Sequence, residues 1–282
     1  MRPFLKWAGG KRQILPYIKK YINKDSIKGH RYFEPFSGGA SVFFDLEHSN
    51  CVINDLNVEI INCYFVIKNN PEELICKLKE YKDKHSKDFY YYVRNMDRSN
   101  DFVLKDNVEK AARTIYLNRT CFNGLYRVNS QGFFNTPIGS YVNPTICDEE
   151  NIRGISRFLN KNNVKITSLD FSNAVKYARN GDWIYFDPPY DYQETHGFVN
   201  YVKEGFNHDD LIRLKKVSDR LIKKGCNVLI SNNDTLFVRE LFSGEYYDIV
   251  YSTEIVKANR NINRNASNRK KVDEVLIYGR KK

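Results

Sequence analysis

The chain has 282 residues, enough for one large domain or for a domain carrying a sizeable insertion. Apolar residues make up 41% of it, which suits a protein with a buried core, yet no run approaches the roughly 18 apolar residues of a membrane span. The formal charge of +11 favours a polyanionic partner such as nucleic acid or an acidic membrane surface.

The first eleven residues have no long apolar stretch, so a secretory signal is not expected. Phe4 to Lys11 reads FLKWAGGK. Gly9 and Gly10 let backbone pass close to a ligand, Trp7 offers an apolar wall, and Lys11 offers a cation for a carboxylate. Arg31–Glu34 is a short aromatic strand that runs into the turn Pro35-Phe36-Ser37-Gly38-Gly39. A helix is expected from Ala40 to about Glu47, and a second strand over Cys51–Asn54 ends at Asp55. This βαβ pattern implies a parallel sheet. A glycine-rich turn followed about twenty residues later by an acid suits a nucleoside-containing cofactor, because the acid can accept from both ribose hydroxyls. Glu34, Phe36, Ser37, Gly38, Gly39 and Asp55 are therefore cofactor candidates. The turn is not G-x-G-x-x-G, so a dinucleotide site is not implied.

Residues 57–161 change character. Helices are expected over 59–67, 71–81 and 108–117, followed by a Gly/Asn-rich segment from 120 to 141. Asn123-Gly124 is a common two-residue hairpin turn. From Lys110 to Cys147 there is no acid, while Lys110, Arg113, Arg119 and Arg127 are basic; such a window suits a surface facing phosphates. Phe122 can wedge into a base step, and Arg127 can grip a guanine edge with two hydrogen bonds.

The α/β pattern then resumes. Strands are expected at 164–166, 182–186 and 227–231, with an amphipathic helix over 208–224. Residues 246–253 and 273–279 read as an antiparallel pair around an Asn/Arg-rich, mobile loop near 259–271. A second acid-free window, Ile255 to Val272, carries Lys257, Arg260, Arg264, Arg269, Lys270 and Lys271. None of the six cysteines forms a C-x-x-C pair, and the five histidines show no zinc spacing. The cysteines read as reduced core thiols of a cytoplasmic protein, and no metal is expected.

The sharpest chemical signal is Asp187-Pro188-Pro189-Tyr190, which ends the 182–186 strand. The prolines fix the backbone and remove two N–H donors. The Asp187 carboxylate and the Pro188 carbonyl are then two acceptors that can hold the hydrogens of a conjugated exocyclic amine and favour a pyramidal nitrogen. Tyr190 can stack on the ring that carries the amine.

Taken together, FLKWAGGK at 4–11, FEPFSGGASVFFD at 33–45, IND at 53–55, IYLNRTCFNGLYRVNSQGFFNTPIGSY at 115–141, YFDPPY at 185–190, LISN at 229–232 and RKKVDE at 269–274 resemble the Dam family of DNA adenine methyltransferases over essentially the whole chain. The resemblance implies a Rossmann-like, S-adenosylmethionine-dependent sheet in residues 1–56 and 162–282, with an inserted, mostly helical target-recognition domain at 57–161. It implies methyl transfer to N6 of a flipped adenine in double-stranded DNA, within GATC, without a metal, a membrane or an obligatory protein partner. By motif position, Trp7, Lys11, Asp55 and Asp187 match cofactor contacts, and Asp170 and Phe171 match a segment near the cofactor's adenine. Asp187, Pro188 and Tyr190 match the pocket for the target adenine. Lys6 and Arg127 match guanine readers, and Phe122 and Asn123 match residues inserted where the base leaves the stack. Pro137 and Tyr141 match further DNA contacts, with Arg119, Leu125, Arg269 and Lys270 completing the expected interface. Phe122 stands where some relatives have Tyr, which keeps stacking but removes a hydroxyl. Two rivals stay open: a methyltransferase acting on RNA or another amine, and a DNA-binding relative without catalysis.

Overall fold

The computed structural model describes residues 1–7, 9–190, 206–243, 245–246, 248–259 and 271–282. The chain divides into two units. The first comprises Met1–Gly10, Gly38–Glu47 and Asp55–Ser168, and the second Lys11–Ser37, His48–Asn54 and Leu169–Lys282.

Among the described residues, the second unit is built on seven strands. Helix α1 (Leu15–Tyr21) precedes β1 (Tyr32–Glu34) and β2 (Cys51–Asn54). After them come α8 (Phe171–Ala174), β4 (Trp183–Phe186), α9 (His208–Lys223), β5 (Asn227–Asn233), α10 (Leu236–Leu241), β6 (Glu245–Tyr246), β7 (Ile249–Asn259) and β8 (Lys271–Lys281). Their order is β2-β1-β4-β5-β8-β7-β6. The first four are parallel, β8 runs antiparallel to β5, and β7 pairs antiparallel with β8 along eleven residues. The expected terminal pair is therefore present and longer than its apolar pattern suggested. The loop between its strands lies outside the described residues from 260 to 270, and so do Arg269 and Lys270.

The parallel strands are largely apolar because both faces are covered, with polar residues gathered at their carboxyl ends, as at Glu34, Asn54 and Ser231–Asn233. Phe33, Ile184, Phe186, Val228 and Ile230 join Leu211, Leu214, Val217, Leu221 and Ile222 of α9 in one core. The helical spacing of those α9 residues is what turns its apolar side to the sheet. A capping box starts α9: Asp210 N–H donates to Asn207 Oδ1 at 3.0 Å, and Asn207 N–H donates to Asp210 Oδ2 at 3.2 Å. Helix α1 is tied to the antiparallel strands through Tyr21, whose ring lies 5.2 Å from that of Tyr278.

The first unit is mainly helical: α2 (Ser41–Leu46), α3 (Val58–Asn69), α4 (Pro71–Asp83), α5 (Lys87–Asn95), α6 (Asn107–Thr120) and α7 (Glu149–Lys161), with the strand β3 (Val164–Thr167). α6 is its axis, buried at every position from Ala111 to Asn118. α5 and α7 were not located from sequence; α7 carries Ile152, Ile155 and Leu159 on one buried face.

Two expectations need correction here. Asn123 and Gly124 do take positive φ, 55° and 65°, and Leu125 N–H donates to Phe122 O at 3.1 Å. That is a tight turn, but the segments flanking it do not pair with each other. Val128 instead bridges Phe134, Cys121 bridges Ile138, and the chain reverses at Asn129–Gly132. The later turn wins because the Asn129 side chain accepts from the backbone of both Gln131 and Phe133. Second, Arg113 does not face phosphates. It is 1% exposed, paired with Asp97 at 2.6 Å, and donates to the carbonyls of Val93 and Arg94. A charge-window argument counts cations and cannot see which ones a helix turns inward.

Four of the six cysteines are buried, Cys147 is half-buried and Cys76 is exposed; all are free thiols. Among the described residues, no helix is long and apolar enough to cross a membrane.

Candidate active site

In the second unit, β1 has β2 on one side and β4 on the other, so the winding of the chain changes direction between β1 and β4. Open α/β sheets place their ligands beyond the carboxyl ends of strands at such a point. Glu34 closes β1 there, and Asp187 follows β4. Lys11 Nζ lies 2.9 Å from Asp187 Oδ1, and Ser231 Oγ donates to the same oxygen at 2.8 Å. Lys11 is only 4% exposed. Burial raises the Asp187 pKa above its ordinary value, against the opposing pull of Lys11 and Ser231. Lys11, expected as a partner for a ligand carboxylate, is thus engaged with Asp187; its ammonium also sits 4.5 Å from the centroid of the Tyr190 ring. Tyr190 O–H donates to Glu274 Oε2 at 2.7 Å. Burial, then the charges of Asp187 and Glu274, hold the Tyr190 hydroxyl in its protonated form. Pro188 is buried and Pro189 exposed. Glu34, 3% exposed, accepts from Tyr32 O–H at 2.9 Å.

The loop after β1 is braced by a residue that sequence reasoning treated only as a strand end. Asn54, 1% exposed, donates through Nδ2 to Pro35 O and to Leu169 O, each at 2.9 Å, and accepts from Leu169 N–H at 2.8 Å. Ser37 N–H donates to Asn54 O at 2.9 Å. Ser37 Oγ is buried and has no hydrogen-bond partner among the described residues. Phe36 lies 5.3 Å from Phe171 and 5.5 Å from Phe206, ring to ring. Asp170 caps α8 through Ser172 N–H at 3.0 Å and pairs with Arg213 at 2.8 Å. Burial works upward on its pKa, but the Ser172 and Arg213 hydrogen bonds outweigh it, and the carboxyl lies below its usual value. Arg213 also covers the Phe171 ring at 4.3 Å.

The first unit brings together Trp7, Gly38, Gly39 and Asp55. Gly38 N–H donates to Asp55 Oδ2 at 2.8 Å and Asn57 N–H to Oδ1 at 2.9 Å. Burial raises the Asp55 pKa in spite of these two amides. Each oxygen keeps lone-pair capacity for a hydroxyl donor. Gly38 has φ 44°, and a Cβ placed there would stand 2.6 Å from Trp7 Cδ1. Trp7 thus explains why this position is glycine. Tyr64 O–H fixes Gly38 O at 3.0 Å, and the Tyr126 ring lies 5.5 Å from Trp7.

The same unit gathers Lys6, Phe122, Asn123, Tyr141 and Pro137. Buried Asn118 accepts from Lys6 N–H at 2.7 Å and donates through Nδ2 to Lys6 O at 2.7 Å and Gly124 O at 3.0 Å. Lys6 Nζ sits 3.9 Å from the Tyr141 ring centroid. Phe122 N–H donates to Pro137 O at 2.9 Å. Phe122 and Asn123 are exposed at the turn, Leu125 is half-buried, and Thr136 Oγ1 donates to its carbonyl at 2.7 Å. Arg127 is exposed and aimed by Asn135, whose Oδ1 accepts from Arg127 Nε at 2.6 Å. Arg119 is half-buried near the end of α6. Asn118 and Asn135 were missed as site residues because a lone Asn in a helix or a loop carries no distinguishing pattern. Among the described residues, no group of three or more His, Cys, Asp or Glu is placed to hold a metal ion.

A family model described as D12 class N6 adenine-specific DNA methyltransferase matches residues 7–262. Type II methyltransferase M1.LlaDCHI of Lactococcus lactis subsp. cremoris is 43% identical over 282 residues, covering 99% of this chain and 96% of that protein. Type II methyltransferase M.MjaIII of Methanocaldococcus jannaschii is 40% identical over 293 residues, 98% of each chain. A DNA adenine methylase of Escherichia coli K12 is 31% identical over 279 residues, 98% of this chain and 94% of that protein.

Proposed function

The chain belongs to the D12 class of N6 adenine-specific DNA methyltransferases, and from that membership we propose that it transfers a methyl group from S-adenosylmethionine to N6 of an adenine turned out of double-stranded DNA, within GATC. The observation that carries the chemistry is Asp187 at the end of β4. One of its oxygens is tied by Lys11 and Ser231, and two prolines follow it.

The residues present suit the cofactor. Ser37 Oγ is a buried polar atom with no partner among the described residues. Asp55 and Glu34 are carboxylates suited to ribose hydroxyls and an ammonium, and Phe36 and Phe171 offer aromatic surface. In this reading Trp7, Lys11, Glu34, Phe36, Ser37, Gly38, Gly39, Asp55, Asp170, Phe171 and Asp187 make up its binding set. When bound, it supplies an electrophilic methyl group. The remaining chemistry belongs to the chain. Asp187 Oδ2 and the Pro188 carbonyl hold the two hydrogens of the amine, and Tyr190 lies against its ring. The nitrogen loses one proton as it gains the methyl group, and Asp187 is the base that receives it. Orientation of this kind can reach an effective molarity of roughly 10⁵ M or more.

Residues 57–161 serve as the target-recognition domain. Lys6 and Arg127 read guanines, Phe122 and Asn123 fill the gap left by the adenine, and Arg119, Leu125, Pro137 and Tyr141 complete the contact. Arg269 and Lys270 add phosphate contacts. Unstacking the base costs a few kcal/mol, which these insertions offset. The GATC assignment is supported by the motif matches at Lys6 and Arg127, and the relatives described as DNA adenine methylases support adenine as the target base.

The test is transfer of labelled methyl from S-adenosylmethionine to duplex DNA, to the same sequence as RNA, and to duplexes with one altered base pair. The wild-type chain labels the GATC duplex alone, and Asp187→Ala abolishes labelling in a chain that still unfolds cooperatively, though at a lower midpoint because Lys11 loses its buried partner. Full activity in Asp187→Ala, or preferential labelling of RNA, overturns the assignment.

A further inference from the structure

Both donors to Asp187 fall on one oxygen, Oδ1. Phe186 of β4 pairs with Ile230 of β5, so Asp187 and Ser231 are the next residues in line across the two strands. Ser231 is fully buried, and the hydroxyl of Tyr185 lies 2.9 Å from its Oγ. Distance alone leaves the donor in that pair open, but counting protons settles it. An ionised carboxylate only accepts, and each hydroxyl carries a single hydrogen. Ser231 gives its hydrogen to Asp187, so Tyr185 donates to Ser231. The chain therefore runs one way, from Tyr185 O–H to Ser231 O–H to Asp187 Oδ1. Tyr185 is fully buried, and desolvation followed by the nearby Asp187 charge keeps its proton in place.

Two fully buried hydroxyls in a sheet are a demanding arrangement, since each needs its partner to offset desolvation. What this pair achieves is fixed geometry at a carboxylate that lies past the end of its strand. We propose that Ser231, backed by Tyr185, is a positioning residue for methyl transfer: it sets the plane of the Asp187 carboxylate so that Oδ2 is the oxygen presented to the amine. This rests on the reading of Asp187 as the acceptor for that amine.

The experiment compares wild type, Ser231→Ala, Ser231→Thr, Tyr185→Phe and the Ser231→Ala/Tyr185→Phe double variant. It measures kcat, KM for DNA and for S-adenosylmethionine, and the urea midpoint of each. Losing a hydrogen bond to a charged group lowers kcat in Ser231→Ala on the order of tenfold to a hundredfold. Both KM values stay within about twofold, because the interaction lost is one that matters only when the amine reacts. Ser231→Thr keeps the hydroxyl and recovers most of the rate. Tyr185→Phe lowers kcat less, and it has no further effect once Ser231 is Ala, the coupling expected of two links in one chain. A wild-type kcat in folded Ser231→Ala overturns the proposal. So do losses in the two single variants that simply add, or that follow the urea midpoint with no Ser231→Thr recovery. A wild-type chain that labels no DNA overturns the functional reading as well, so the two failures are told apart by the wild-type control.

Discussion

Replacing Asn118 by Ala probes how the first unit holds the residues proposed to meet DNA. The side chain is 1% exposed and makes three hydrogen bonds, to Lys6 N–H and Lys6 O at 2.7 Å and to Gly124 O at 3.0 Å. The Ala variant leaves those backbone groups without this partner. An unsatisfied buried polar group costs about 1–3 kcal/mol, and partial solvation of the Lys6 backbone brings the total to about 3 kcal/mol. Lys6 and the Phe122–Gly124 turn then lose their common anchor. A close neighbour sharpens the test: Asn118→Asp keeps the acceptor for Lys6 N–H but points oxygen at two carbonyl oxygens, so it is at least as damaging as Ala. Urea unfolding gives the stability term, and binding to a GATC duplex against a duplex with one altered base pair gives the recognition term. A loss below about 1 kcal/mol together with unchanged discrimination refutes the anchor.

Three further expectations follow from the same geometry. Arg113→Met removes the 2.6 Å partner of Asp97 and the donors to Val93 O and Arg94 O, while Arg98 and Phe134 N–H still hold Asp97, so unfolding stability falls by about 1–3 kcal/mol. Gly38→Ala places a Cβ 2.6 Å from Trp7 Cδ1 at a φ of 44°; calorimetry shows weaker S-adenosylmethionine binding, and stability drops by at least about 1 kcal/mol. Arg127→Ala relaxes the choice at one base pair by about 1–3 kcal/mol, whereas Lys270→Ala weakens binding evenly across sequences and reduces its salt dependence.

Much of the second unit was legible from local pattern. Apolar runs such as Trp183–Phe186 and Val228–Ile230 have few ways to be buried except as central parallel strands. The DPPY segment and the glycine turn are visible without coordinates because prolines restrict the backbone and glycines free it for conformations closed to other residues. The rest depended on partners distant in sequence. Lys11 meets Asp187 across 176 positions of chain (187 − 11), and nothing in the string FLKWAGGK says which carboxylate its lysine will find. Asn54 and Asn118 act through backbone groups, and backbone groups carry no residue identity to read. Arg113 shows the opposite failure. Its charge suggested solvent, while the position of its α6 neighbours, buried from Ala111 onward, decided its fate.

The place of β8 has a consequence for how the chain is made. It pairs with β5 on one edge and β7 on the other, yet it is the last of the three to be synthesised. Until residues 271–281 leave the ribosome, the nascent sheet has a gap in its middle, with the hydrogen-bonding edges of β5 and β7 both unfilled. Folding of this unit is thus held back until β8 has been made, and the open edges are where an incomplete chain is prone to aggregate.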